Sequence, residues 1–93
     1  MSMGWGAARK LRRVLDNLSR ILAVELLCAA RGLELRAPLA PAAGTEAARA
    51  LVESLAGGAG PDRWLAPELA AVERMVRSGE ALVAAEVAVG PLA

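Results

Sequence analysis

Apolar residues recur at steps of three and four through the first third of the chain, which is the period of an α-helix. No proline falls between Met1 and Ala37, so no ring interrupts this stretch. We therefore predict one long helix over about residues 5–36. One apolar row of this helix contains Leu11, Leu15, Leu18, Leu22, Leu26 and Ala29, and a second row contains Val14, Ile21, Cys28 and Leu35.

The middle of this helix is apolar on every side. From Ile21 to Ala30 the only polar residue is Glu25. A helix that is apolar all round is buried all round, and a chain of 93 residues is too short to surround it. The sequence thus predicts that helices from outside the chain pack around this one, as part of a larger helical bundle.

The rest of the chain reads as a linker over residues 37–44 and a helical tail over residues 45–93. Pro38 disfavours helical geometry at Ala37, and Thr45 is the expected N-cap of a second helix. That helix ends at about Ala56, before the loop Gly57–Pro61. A third helix starts at Pro67 and stops at Gly79, and a fourth covers about Glu80–Val89.

No segment alternates with a period of two for long enough to form a strand. The prediction is an all-α fold, with one long helix followed by three shorter helices in a single unit, residues 1–93. Several side chains of the tail receive a role. Leu51 and Leu55 share one face of the second helix, and Leu82, Ala85 and Val89 share one side of the fourth. The inward face of the third helix consists of Leu69, Val72 and Val76, with Met75 beside them. Trp64 anchors a turn against the core, and Glu73 pairs with Arg77 on the surface.

The amino-acid composition provides few side chains that could carry out catalysis or bind a metal. The chain has a net charge of +1, one Cys and no His, Tyr or Phe, so it lacks the commonest general base and metal ligand. We identify no catalytic, cofactor-binding or metal-binding residue. Cys28 is expected to be a small buried hydrophobe. A lone thiol fits a reducing compartment, and the Ile21–Ala30 run is too short to span a bilayer, so we expect a cytoplasmic protein.

Two charged features allow two interpretations each. Glu25 is either a catalytic acid or a structural acid that meets an Arg or backbone donors of a neighbouring helix, and the structural interpretation is favoured. The first 20 residues carry five basic groups against Asp16, which is either a nucleic-acid stripe or, as we favour, a solvated or interface-facing helix end. The basic residues are Arg9, Lys10, Arg12, Arg13 and Arg20.

Three stretches resemble histidine ammonia-lyases of the aromatic amino acid lyase family. Ser2–Leu11 resembles the segment after that family's Gln-Glu-Asp-His-Val stretch, with Ser2-Met3-Gly4 pointing to the histidine branch. Ile21–Leu39 resembles its long central helix and exit. Asp62–Leu69 resembles its Asp-Arg-(aromatic)-(apolar)-Ala-Pro-Asp-Ile signature, with Glu68 in place of the usual Asp. These stretches resemble only the C-terminal end of the family's sequence, and residues 89–93 look like a natural C-terminus.

The resemblance implies a cytoplasmic homotetramer with a central bundle of long helices, which converts L-histidine to trans-urocanate and ammonia in histidine catabolism. It also implies an electrophile, a methylidene-imidazolone formed by cyclisation of an internal Ala-Ser-Gly, and a catalytic Tyr. The chain contains neither of these motifs, and the family's substrate-binding Glu belongs to the Gln-Glu-Asp-His run, which it also lacks. Its serines are Ser2, Ser19, Ser54 and Ser78.

Two hypotheses for function follow. In the first, the chain is a lyase segment, from a fragment or split gene, that supplies bundle core and subunit interface and is inactive alone. Its partners are then the remainder of the lyase subunit or other copies of the chain. In the second, it is a stand-alone helical module that self-associates through the Leu11–Ala29 face. Neither hypothesis involves a nucleic acid, a membrane, a metal or a cofactor held by this chain.

Overall fold

The computed structural model of the chain describes residues 3–58 and 60–92. Four helices follow one another, and this part of the chain contains no strand: α1 (Met3–Leu35), α2 (Ala43–Ala56), α3 (Ala66–Ser78) and α4 (Glu80–Val89). The all-α fold with one long helix ahead of three shorter ones is confirmed. Ser2 of the Ser2-Met3-Gly4 motif, Ala59 of the glycine-rich loop and the final Ala93 lie outside the described residues, as does Met1.

The start of α2 differs from the prediction. Thr45 is not the N-cap, because the helix already begins at Ala43 and Ala42 holds the cap position with extended geometry. The amide of Glu46 donates to the carbonyl oxygen of Ala42 at 2.8 Å, which closes the first turn. Ala42 has no side-chain acceptor, and exposed helix-start amides need none because water satisfies them. The connection between α1 and α2 is correspondingly shorter, residues 36–42.

The boundary between α3 and α4 confirms the prediction. Pro67 lies in the first turn of α3, where its missing amide proton removes no helical hydrogen bond. Gly79 ends the helix with a left-handed φ of 80°, and its amide donates to the Val76 carbonyl oxygen at 3.3 Å. A side chain is disfavoured in this conformation, so the glycine allows the chain to start α4 at the next residue.

The helices pack as two antiparallel pairs. Asp16 and Arg20 of α1 lie beside Arg77 and Glu73 of α3 respectively, so these two helices run in opposite directions. α2 and α4 form the second pair, and α2 also contacts α1 and α3. Within the described residues α1 and α4 do not touch. The core at the junction of α1, α2 and α3 is small and consists of Ala23, Leu27, Val52, Ala56, Val72 and Met75.

The predicted inward face of α3 was wrong in part, and so was the role of Trp64. Met75 is a fully buried centre of the core and Leu69 and Val76 are only partly buried, because α3 lies between α1 and α2 and buries the side that faces both. Leu55 of α2 is exposed, and no residue of α4 is buried. Trp64 is 82% exposed and anchors nothing. Its turn is held instead by the Arg63 guanidinium, which reaches the carbonyl oxygens of Ala56 and Gly58 at 3.2 and 3.1 Å.

Candidate interaction surface on the first helix

The first half of α1 projects beyond the rest of the molecule. Every residue from Met3 to Leu15 is exposed. Cover begins at Asp16, which accepts a hydrogen bond from Arg77 of α3. A helix of 33 residues is about 50 Å long, and α2 and α3 are less than half that length. The tail therefore packs along the second half of α1 only.

Two opposite faces of α1 are apolar, and the tail covers one of them. Ala23 and Leu27 on the covered face are 1% and 6% exposed. Because successive helical residues are about 100° apart, a second apolar face lies roughly half a turn away. We call it the outward stripe; its six side chains are 37–59% exposed and are Leu11, Val14, Leu15, Leu18, Ile21 and Leu22.

Glu25 lies on the same side of α1 as the outward stripe. In the single chain Glu25 is exposed and makes no hydrogen bond or ion pair with any described residue. Its burial among helices from outside the chain stays a prediction. Cys28, also expected to be buried, is exposed as well. Both expectations rested on a run that is apolar on all sides, and the four helices bury only one side of it. The assignment of Glu25 as a structural acid that meets a donor of another helix stays a prediction.

The basic residues of α1 do not form one flat array. Four of them lie in the N-terminal half of α1, along which the tail does not pack, and they are exposed at different angles around the helix: Arg9, Lys10, Arg12 and Arg13. Arg20 lies in the C-terminal half of α1, along which the tail packs, and its Nε is 3.8 Å from Oε1 of Glu73. Of these basic residues, only Lys10 lies within 90° of the centre line of the outward stripe, at an angle of about 80° around the helix. The preference for a solvated or interface-facing helix end over a nucleic-acid stripe stays a prediction.

Ion pairs hold α3 against the covered half of α1. The Nη2 atom of Arg77 donates to Oδ1 of Asp16 at 2.8 Å and to Oε1 of Glu73 at 3.1 Å. The predicted pair of Glu73 and Arg77 is thereby confirmed, with Asp16 as an unforeseen third member. The hydrogen bond to Asp16 and, less strongly, the charge of Glu73 raise the pKa of Arg77, so the guanidinium stays charged. This cluster links α3 to the side of α1 that carries Asp16 and Arg20.

A second ion cluster lies within α2. Arg49 donates from Nε to Oε2 of Glu46 at 2.8 Å and also pairs with Glu53 one turn further on. The hydrogen bond from Arg49 lowers the pKa of Glu46. Arg49 thus bridges two carboxylates one turn to either side of it, a spacing that supports a helix.

Three further kinds of site concern the described residues: metal-ligand clusters, membrane-spanning helices and apolar grooves. In residues 3–58 and 60–92 no group of three or more is placed to hold a metal ion. The helices of the same ranges include none with the length and hydropathy needed to cross a membrane. An apolar groove between α1 and α2 is lined by Leu26, Ala29, Ala30, Leu33 and Ala48, and it carries almost no polar surface. Large exposed apolar side chains are most concentrated along α1, where six of them form the outward stripe.

Comparison with known proteins identifies the class. Residues 1–54, which include all of α1 and most of α2, match the family model of the aromatic amino acid lyases. The match covers more than half of the chain, and the chain belongs to this family. Within the family it is similar to histidine ammonia-lyases, which confirms the resemblance drawn from residues 2–11, 21–39 and 62–69.

These relatives match the chain from end to end. The histidine ammonia-lyases of Streptomyces avermitilis and Streptomyces griseus are 54% identical to it over 95 and 96 residues, which is 100% of this chain. That of Symbiobacterium thermophilum is 45% identical over 92 residues. The chain spans 18–19% of the length of these relatives and corresponds to a segment of them. No solved structure matches the chain.

Proposed function

We propose that the chain is the C-terminal segment of a histidine ammonia-lyase assembly, to which it supplies helical core and subunit-contact surface without being catalytic itself. The observation that carries the proposal is the outward stripe of α1. Six large apolar side chains lie there, each more than a third exposed and on the side away from the tail. A soluble chain seldom leaves such a surface bare, and more than four-fifths of each relative's length lies outside the matched segment.

The reaction belongs to the whole assembly in this proposal. By the resemblance it is the elimination of ammonia from L-histidine to give trans-urocanate, carried out by a cytoplasmic homotetramer. The residues present do not fit the electrophile that the family forms from Ala-Ser-Gly, because none of the four serines follows an Ala and precedes a Gly. No Tyr is present to serve as the base. We therefore assign no catalytic step to any residue of this chain.

Complementation tests the proposal. The Streptomyces avermitilis relative is produced without the 95 residues that match this chain, alone and together with the chain, and urocanate formation is followed by ultraviolet absorbance. We expect activity only when both parts are present. Two single variants of the chain are then compared in the same assay. Leu18→Asp places a charge in the outward stripe, whereas Val87→Asp places one at an exposed position of α4. We expect Leu18→Asp to restore less activity than Val87→Asp. Turnover of histidine by the 93-residue chain alone contradicts the proposal.

The second candidate is a stand-alone helical self-association module derived from the lyase. The outward stripe favours it as well, because a stripe on one straight helix can pair with its own copy. The two candidates differ in complementation. A chain that self-associates but gives no urocanate with the shortened relative supports the module and contradicts the lyase segment.

A further inference from the structure

We propose that Gly79 is a hinge with two positions. In the position that the structure shows, α4 folds back onto α2. In the other position α3 and α4 form one straight helix over residues 66–89, and α4 lies along the N-terminal half of α1. The inference goes beyond the proposed function, because it concerns only contacts within this chain.

A single residue separates α3 from α4. α3 ends at Ser78 and α4 begins at Glu80. Gly79 between them has a left-handed φ of 80°, and no atom outside its own helix and chain neighbours lies within 4 Å of the position that a Cβ would take. The bend therefore depends on the backbone angle of one glycine and not on packing around it. Because glycine adopts left-handed and right-handed angles about equally well, the same residue can also continue the helix.

The contact that holds α4 in its present position is shallow. α4 packs on α2 and touches α3, but it does not reach α1. None of its residues is buried, and Val83 and Val87 are 60% and 82% exposed. On the other side of the contact, Leu55 of α2 is itself 39% exposed. Both helices therefore lose little cover when α4 leaves α2.

The ion pairs between α1 and α3 define an antiparallel register. Glu73 of α3 lies beside Arg20 of α1. One turn further along α3, Arg77 donates to Asp16, which lies one turn nearer the start of α1. Contacts on one face of a helix recur at steps of three or four residues. When α3 continues through the hinge, its next contact therefore joins position 80 to position 13 of α1.

These two positions carry opposite charges. They are occupied by Glu80 and Arg13. Both side chains belong to exposed residues, and neither makes an ion pair with any described residue in the observed position of α4. The straight helix brings them together on the side of α1 where α3 already lies. It thus adds one more ion pair to those that join α1 to α3.

The next contacts of the straight helix also fit the sequence. In the same register, Ala84 lies opposite Arg9, and Val87 lies opposite Gly6. The aliphatic stem of an arginine packs against small apolar side chains, and a glycine lets a valine approach the helix backbone closely. Both α1 positions are exposed and lie more than a quarter turn from the outward stripe. The straight helix therefore covers part of residues 3–15 and leaves the outward stripe free.

Straightening also satisfies backbone groups. The first hydrogen bond of α4 joins the amide of Val83 to the carbonyl oxygen of Gly79 at 3.2 Å. The amides of residues 80–82 precede it and have no helical partner. In a continuous helix they donate to the carbonyl oxygens of residues 76–78, four positions earlier. These hydrogen bonds offset part of the contact with α2 that is lost.

Disulfide trapping distinguishes the two positions in the full 93-residue chain. Cys28 is first replaced by Ala, because it is the chain's own free thiol. Leu55→Cys with Val83→Cys places two thiols in the groove between α2 and α4 and gives the α2–α4 disulfide. Gly6→Cys with Val87→Cys gives the α1–α4 disulfide of the straight helix. Chains with an internal disulfide are separated from linked dimers by size and quantified by mass spectrometry.

Gly79→Ala is expected to favour the straight helix. Alanine disfavours the left-handed bend and favours the interior of a helix, so the yield of the α1–α4 disulfide relative to the α2–α4 disulfide should rise about tenfold. Gly32→Ala is the matched control. Gly32 lies inside α1 with free space at its Cβ position and without a positive φ, so its replacement should leave the ratio unchanged.

Charge reversal tests the contact between Arg13 and Glu80. Arg13→Glu creates a repulsive pair in the straight helix, and we expect the yield of the α1–α4 disulfide to fall about threefold. Adding Glu80→Arg restores the opposite charges and should restore the yield. Lys10→Glu makes the same change in net charge on another side of α1 and serves as the control.

Two results overturn the hinge. One is a Gly79→Ala chain that stays folded and forms only the α2–α4 disulfide. If that variant does not fold, the parent sequence at position 79 decides. An α1–α4 disulfide that forms there no faster than in the urea-unfolded chain, or that Arg13→Glu and Lys10→Glu reduce equally, overturns it as well.

Discussion

Arg77, near the end of α3, donates a hydrogen bond to Asp16 of α1 across 61 residues of sequence, with Nη2 and Oδ1 2.8 Å apart. The contact lies at the boundary between the two halves of α1. Residues 3–15 are all exposed, and the two residues of α1 that belong to the core, Ala23 and Leu27, come after Asp16. Asp16 and Arg77 therefore mark the end of the surface that the chain buries by itself.

Replacing Arg77 by Ala is expected to lower the melting temperature slightly. Both side chains of the pair are nearly half exposed, and exposed ion pairs contribute little because water and salt screen them. Thermal unfolding followed by circular dichroism measures the effect, which should shrink as salt is added. Arg74→Ala is the matched control, since Arg74 is an exposed arginine of the same helix without an ion pair in the described chain. An equal loss in both variants contradicts the role of the Asp16–Arg77 pair.

Replacing Met75 by Ala is expected to have a far larger effect. Met75 is 1% exposed in a core of six residues, and a cavity of this kind lowers the free energy of unfolding by about 2–5 kcal/mol. Urea unfolding measures the change. Val87→Ala serves as the control, because Val87 is 82% exposed and its truncation should change that free energy by less than about 0.5 kcal/mol. Comparable losses at the two positions would show that Met75 does not occupy the core.

Replacing Arg63 by Ala is expected to loosen the connection between α2 and α3. The guanidinium binds the carbonyl oxygens of Ala56 and Gly58 and, through Nε, Oε1 of Glu68 at 2.9 Å. Its loss removes hydrogen bonds at the C-terminal end of α2, where carbonyls have no helical partner. We expect faster amide exchange at the end of α2 and faster proteolysis of the loop.

Two further variants specify what Arg63 does. Arg63→Lys keeps the charge but cannot reach three acceptors with a planar fork, so it should restore only part of the protection. Asp62→Asn changes the adjacent charge and removes no hydrogen bond in the described chain. If Asp62→Asn loosens the loop as much as Arg63→Ala does, the guanidinium is not what holds it.

The helix boundaries of this fold can be predicted from the sequence where a single residue determines the local backbone conformation. Gly79 ends α3 because its φ of 80° suits glycine, and Pro67 suits the first turn of a helix. The start of α2 was harder to predict. Thr45 is a good cap by type, but a run of small residues before it is equally able to begin the helix, and an exposed helix start does not require a side-chain cap.

Burial was harder to predict than helicity. Hydrophobic periodicity shows which side chains favour contact with other apolar groups, and it does not show which of two apolar faces meets a neighbour in the same chain. Glu25 and Cys28 were expected to be buried for this reason and are exposed. Trp64 illustrates the same limit in a loop, where a hydrogen-bonding Arg63 fixes the turn and the indole projects outward.

Because α1 has two opposite apolar faces, substitutions along this helix should affect two different properties of the chain. Changes at Ala23 or Leu27 act on folding of the single chain, whereas changes at Leu11, Leu18 or Leu22 act on whatever covers the chain. A saturation scan scored by folding and the same scan scored by assembly should therefore give two profiles along α1 with the same helical period. Their maxima should lie half a turn out of phase, so each assay is most tolerant where the other is least.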